Sequence, residues 1–356
     1  MKSASESTSP ALLAHFTEQA GFCSAMGSPF TARLLEALAR DLAAGGPTAD
    51  LVADWPGHPR ADALSLRLAG ALHAAALSGR DPALAAEYPA ARPAWDAEAV
   101  WRAARAFLAR ERDWVESFLR FPPQTNETRR AIALLAGFLH LAARFAAPLD
   151  LLEIGASAGL NLHWDRFAYR TASWRWGGPS DATIDTEWRG PPPPLDARPR
   201  VRSRVACDQN PLDLRRPDER LRLRSYIWAD QPERLARFDA ATAIALANGV
   251  TVERADAAAW LEARLPARAP DALTVVYHSV FLQYPPREIR KRIEAALEQA
   301  GASSPAPLAW LRLEPEVVLG GPRESIRFLL DVITWPGRER KTLAVTDGHV
   351  RFVDAS

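Results

Sequence analysis

Cysteine is scarce in this chain: Cys23 and Cys207 are the only two among 356 residues. Two thiols, one in each half, form neither a disulfide framework nor a zinc cluster, so a reducing cytoplasm is the expected compartment. Lysine is almost missing as well, with Lys2, Lys291 and Lys341 alone, and nearly all positive charge is arginine. No sign of charge dominates. The formal net charge of +1 gives no global attraction to nucleic acid, to an acidic polymer or to an anionic membrane. Long apolar runs are absent too. The greasiest stretch, residues 131–147, contains His140 and Arg144 and falls short of the roughly 20 residues of a membrane span, so it reads as a buried helix. The opening MKSASESTSP has no apolar core and no small-residue cleavage site, and secretion is not expected. No H-E-x-x-H, C-x-x-C or P-loop pattern occurs, so neither a metal centre nor phosphoryl transfer is expected.

What is present suits about two globular domains, with 48% apolar and 24% charged residues. Residues 1–123 carry helical signals. The clearest places Val100, Trp101, Ala104, Phe107, Leu108, Trp114, Val115, Phe118 and Leu119 on one stripe, with Asp96 as its cap and Phe121-Pro122-Pro123 as its stop. From residue 124 the rhythm changes. Apolar strands are expected at 149–154, 202–207, 251–255, 273–277 and 308–313, with a closing hairpin near 342–345 and 349–353 around Asp347-Gly348. Helical patterns fall between them at 160–168, 231–247, 257–264, 287–300 and 323–333. Strands alternating with helices imply a mostly parallel sheet. Residues 171–200, rich in Trp, Gly and Pro, are too irregular for a crossover helix and read as an insertion. The expectation is an α/β domain over 124–356 behind a helical domain over 1–123.

The sharpest motif is Leu-Leu-Glu-Ile-Gly-Ala-Ser-Ala-Gly-Leu-Asn-Leu, residues 151–162. A buried strand ends in an acid, turns on Gly155 and Gly159, and enters a helix, which lets main chain approach a ligand at the carboxyl edge of a sheet. The segment resembles the acid-x-Gly-x-Gly-x-Gly loop of class I S-adenosylmethionine-dependent methyltransferases, with Ser157 at the middle glycine. A dinucleotide loop would need glycines at 155, 157 and 160 and finds Ser157 and Leu160. The resemblance implies a Rossmann-like methyltransferase sheet ending in an antiparallel hairpin. It implies S-adenosylmethionine as cofactor, held by Glu153, Gly155, Ala156, Ser157 and Gly159. It extends to Asp208 and Gln209 at the second strand end, for the ribose hydroxyls, and to Asp256 and Ala257 at the third, for adenine. Each acid also reads as a simple helix or turn cap.

At the fourth and fifth strand ends, His278, Tyr277 and Glu314 are the candidate catalytic groups, an imidazole being suited to accept a proton near neutral pH. Tyr284 and Trp228 are candidate substrate walls, and Asn126 and Arg129 sit upstream of the first strand, where Arg129 could meet a carboxylate. Thr125 or Asn126 also reads as the cap of the 131–145 helix, and Asp230 or Gln231 as the cap of the next one. Gly155-Ala-Ser-Ala-Gly159 also matches G-x-S-x-G, so a serine hydrolase using Ser157 with Asp256 and His278 or His349 is a further reading. The strings EIGASAGLNL, CDQNPLDL, SYIWADQPERL and VVYHSVFLQY are similar to those of an uncharacterised bacterial family, a domain of unknown function, over almost the full length. The expected activity is methyl transfer to an unidentified small molecule, and the alternative is a noncatalytic protein of the same fold. The sequence is silent on oligomeric state.

Overall fold

The computed structural model describes residues 9–249 and 251–356; the first eight residues of the amino-terminal segment lie outside them. The chain forms two compact units, one of residues 1–125 and 216–236, the other of 126–215 and 237–356.

The first unit is helical. Five of its helices, Pro10–Ala25, Pro29–Ala43, Pro47–Val52, Pro82–Glu87 and Pro217–Ser225, open with proline in the first turn, where its missing N–H costs nothing. Asp96 caps the helix Ala97–Arg110 by accepting from the Glu98 amide at 3.2 Å. The single stripe expected from 100 to 119 is two helices, because the backbone leaves helical geometry at Glu111 (φ −108°, ψ 32°) before Arg112–Leu119 begins. Phe16, Leu35, Leu38, Leu68, Leu72 and Phe107 form the buried core, and Tyr226 and Trp228 complete it. The string Trp-Ala-Asp-Gln therefore serves this unit. Asp230 caps Pro29–Ala43 rather than its own following helix, taking the Ser28 hydroxyl at 2.5 Å and the Phe30 amide at 2.9 Å.

The second unit is built on a sheet. In chain order its strands are β1 (Leu149–Ile154), β2 (Ala168–Arg170), β3 (Arg175–Trp176), β4 (Thr183–Asp185), β5 (Glu187–Arg189), β6 (Val201–Asp208), β7 (Val252–Arg254), β8 (Leu273–Ser279), β9 (Leu308–Pro315), β10 (Phe328–Trp335), β11 (Glu339–Thr346) and β12 (Phe352–Ala355). Among the described residues, nine of them form one sheet in the order β5-β12-β11-β10-β9-β8-β1-β6-β7. The stretch from β7 through β6, β1 and β8 to β9 is parallel, and β10, β11 and β12 turn back antiparallel. Helices Pro232–Asn248, Ala257–Arg264 and Arg287–Ser303 connect the parallel strands. Chain order reverses between β1 and β8, since the chain runs outward from β1 to β6 and β7, then returns to β8 and β9 on the other side.

Three expectations are corrected here. The helix expected at 323–333 is instead β10, whose alternating Phe328, Leu330, Val332 and Thr334 lie between two strands and whose burial is nearly complete. The helix expected at 160–168 is a 3-10 turn, Leu160–Arg166, kinked at His163, and β2 follows almost at once. The tight Asp-Gly hairpin is a longer connection, residues 347–351, between β11 and β12. The insertion supplies β3 and β4, which flank β2 in a small sheet, and also β5, which lies parallel to β12 at the far edge of the main sheet.

Candidate functional site

Glu153 lies one residue before the end of β1 and pairs in register with Tyr277 of β8. The Tyr277 hydroxyl donates to Glu153 Oε2 at 3.2 Å, and both side chains are buried. Burial, reinforced by the nearby Asp208 charge and opposed by the Tyr277 bond, pushes the Glu153 carboxyl up to about 8. Glu153 thus keeps its proton at neutral pH. Burial and the Glu153 carboxyl raise Tyr277 well above the ordinary phenol range, so it is a fixed donor and not a base.

Beyond β1 the backbone turns through positive φ three times, at Gly155 (+68°), Ser157 (+56°) and Gly159 (+76°). Neighbouring segments secure that bend from two sides. The Ala156 amide donates to the Cys207 carbonyl at 3.1 Å, and the Ser157 amide donates to Asp208 Oδ2 at 2.8 Å. On the other side, Asn126 Oδ1 accepts from the Leu160 amide at 3.0 Å, so Asn126 supports the bend rather than capping the helix Arg130–Phe145, which has no side-chain cap. Asp208 Oδ1 takes the Asn210 amide at 2.7 Å. Each of its oxygens retains a lone pair for a further donor.

The two glycines are needed for different neighbours. A Cβ on Gly155 would fall 2.2 Å from Cδ2 of Phe281, and one on Gly159 would lie 3.0 Å from Val252. The face of Gly155 is therefore covered by an aromatic ring from the segment after β8. A cavity of about 230 Å³ flanks the bend at Ala158, walled by Pro211, Leu212, Leu214, Leu246 and Val252.

His278, Glu314 and Trp310 form one buried chain. Trp310 and Glu314 are on the same face of β9, either side of Arg312, the register partner of His278. The Trp310 indole N–H donates to His278 Nε2 at 3.0 Å, so that nitrogen bears no proton and Nδ1–H donates to Glu314 Oε1 at 2.6 Å. The same oxygen takes the amides of Phe281 at 2.7 Å and Leu282 at 3.2 Å. Glu314 Oε2 is buried with no partner among the described residues. Expected as a base, His278 is enclosed with both nitrogens engaged, and Glu314 is enclosed with it.

The remaining candidates separate. Asp256 caps Ala257–Arg264 by accepting from the Ala259 amide at 2.9 Å, and Ala257 packs into the apolar core. Gln209 is exposed, with its carbonyl accepting from Arg254 at 3.1 Å. Tyr284 is 74% exposed, and Trp228 belongs to the core of the helical unit. Arg129 is half-buried and its Nε has no partner among the described residues. The Ser157, Asp256 and His278 constellation of a serine hydrolase is not assembled, because His278 is held by Trp310 and Glu314, and Asp256 by its helix.

Sequence reasoning missed Trp310 as a partner of His278, though the alternate spacing of Trp310, Arg312 and Glu314 along one strand carried the signal. It also missed His163, fully buried after the bend with neither ring nitrogen bonded, and Asn161, whose Oδ1 is likewise unpartnered among the described residues. Among the described residues no group of three or more His, Cys, Asp or Glu is placed to hold a metal ion, and no helix is long and apolar enough to cross a membrane.

A family model described as "Uncharacterized protein conserved in bacteria (DUF2332)" matches residues 14–354. No curated protein and no solved structure matches the chain.

Proposed function

The chain belongs to this uncharacterised bacterial family, and from the site's geometry we propose that its sheet unit binds S-adenosylmethionine at the 155–159 bend and transfers the methyl group to a small molecule. One observation carries the reading: strand order reverses between β1 and β8, and the bend leaves β1 at that reversal. Open α/β sheets take ligands in the crevice outside the carboxyl ends of such strands, where helices or loops diverge to either side. Asp208, at the end of the neighbouring β6, supports the same reading, with lone pairs left for two ribose hydroxyls. The methyltransferase-like fold is part of the proposal, and here the meander β9-β10-β11-β12 forms the antiparallel side of the sheet.

The fit to the cofactor is uneven in this arrangement. Asp208 suits it, but the Phe281 ring fills the space against Gly155, and Asp256 is committed to its helix. A second reading, cofactor binding without base-assisted chemistry, is favoured by the enclosure of Tyr277, His278 and Glu314.

Isothermal titration of the whole chain with S-adenosylmethionine and its demethylated product tests the proposal. Binding at millimolar ligand or below is expected, weakened about tenfold in Asp208→Ala, as befits loss of a charge-assisted acceptor. Absence of heat from both ligands, with Phe281 present or replaced by alanine, sinks it. Binding with no methyl release in the presence of candidate acceptors would select the second reading.

A further inference from the structure

The segment after β8 is built in a way that the cofactor site does not require. Val280 sits at φ +55°, a conformation that β-branched residues rarely adopt, while its amide still donates to the Leu313 carbonyl at 2.8 Å. That bend presents the next two amides, Phe281 and Leu282, to the buried Oε1 of Glu314. The third donor on that oxygen is His278 Nδ1–H, whose orientation is set in turn by the Trp310 indole. At the other end of this chain the Phe281 ring rests on Gly155, at a position only a residue without a Cβ allows.

We propose that Val280–Leu282 is a latch over the β1 bend: Phe281 closes it, and Glu314 and His278 are positioning residues that hold the latch shut. The displacing ligand rests on the cofactor reading above, as an adenosine-bearing sulfonium or thioether; the latch itself rests on the contacts just described. A strained backbone held by a buried carboxylate is a local arrangement maintained by its surroundings. A ligand that needs the face of Gly155 has to move Phe281 first, and its apparent affinity is lowered by the fraction of molecules with the latch closed.

The test has two arms on the full chain. In the first, the demethylated product of S-adenosylmethionine is titrated into wild type and into Phe281→Ala and Glu314→Ala. Tightening of tenfold or more in Phe281→Ala supports the latch, and Glu314→Ala, where it folds, should tighten in the same direction. Equal or weaker binding in Phe281→Ala overturns it. In the second arm, urea midpoints are measured for Gly155→Ala alone and in the Phe281→Ala background. The backbone strain at Gly155 is common to both and cancels, so a markedly smaller midpoint loss in the Phe281→Ala background supports the latch contact, and equal losses overturn it. If no chain binds the product, the cofactor reading fails and the second arm alone decides the latch.

Discussion

The two units bury acids in different ways. In the helical unit, Asp41 takes the Thr48 amide and Arg105 Nε, both at 2.8 Å, and Asp81 takes the Leu84 amide at 3.0 Å and Arg110 at 2.6 Å. Each carboxylate caps a helix and meets a cation, the arrangement under which a charge tolerates burial. In the sheet unit, Asp331 follows that rule, bound by Arg312 at 2.7 and 2.6 Å and by Arg340 at 2.7 Å. Glu153 and Glu314, at the carboxyl edge, do not. Among the described residues no arginine pairs with either of them, Glu153 stays protonated, and Glu314 leaves an oxygen unbonded. Buried acids without a cation mark where architecture alone does not account for the side chains; Glu153 lies just before the bend, and Glu314 holds the amide of Phe281, whose ring covers it.

This contrast can be broken by substitution. The largest effect is expected from Gly155→Ala, which combines a left-handed backbone, roughly 1–2 kcal/mol, with a clash against Phe281, roughly 1–3 kcal/mol. Urea denaturation should show a loss of about 2–5 kcal/mol, and a neutral outcome would mean that the ring does not press on the bend. Next comes the pH dependence set by Glu153. Its folded value is raised from 4.5 to about 8, so the unfolded chain ionises first. The associated stability is complete below about pH 4.5 and is lost as pH rises to 8, on the order of 5 kcal/mol at most. Glu153→Gln should flatten the stability profile across that window, and an unchanged slope would place the proton elsewhere.

Buried histidines extend the comparison. His73 of the helical unit donates Nδ1–H to the Ser225 carbonyl at 3.0 Å and stacks on Tyr88, whereas His163 of the sheet unit has no partner at either nitrogen among the described residues. Burial lowers both to about 4. Each contributes stability above pH 6.5 that is lost as pH falls toward 4, because the unfolded chain binds the proton first. His163→Leu removes one such group without breaking a hydrogen bond and should retain about 2 kcal/mol more stability at pH 5 relative to its own value at pH 7.5. An unchanged acid profile would show that His163 is not proton-free when folded. The smallest effect belongs to Asp230→Ala, where loss of the Ser28 and Phe30 bonds should cost about 1–2 kcal/mol and raise amide exchange at Phe30. Undiminished protection there would deny Asp230 its capping role.

Local pattern was a good guide where a single segment decides its own state. β1, Leu149–Ile154, and the helix Ala257–Arg264 match the expected bounds, because an apolar run and a cap followed by helix formers each act within a few residues. The error at 323–333 had the opposite cause. Its spacing of apolar residues fits a helix, yet two flanking strands impose extended geometry. Of the site, Glu153, the glycine bend and Asp208 were legible as a strand-end pattern. The enclosure of His278 and the capping of a distant helix by Asp230 were not, since a polar side chain shows its chemistry in sequence but not its partners.

By itself the sequence determined the alternation of short strands and helices after residue 124, the helical character before it, and the place where β1 must bend, because each follows from periodicity, caps and glycine. Only the tertiary structure decided that β10 is a strand, that β5 returns to the far edge of the sheet, and that a ring from beyond β8 covers Gly155. Those outcomes depend on contacts between residues far apart in the chain, where register and packing outweigh local preference.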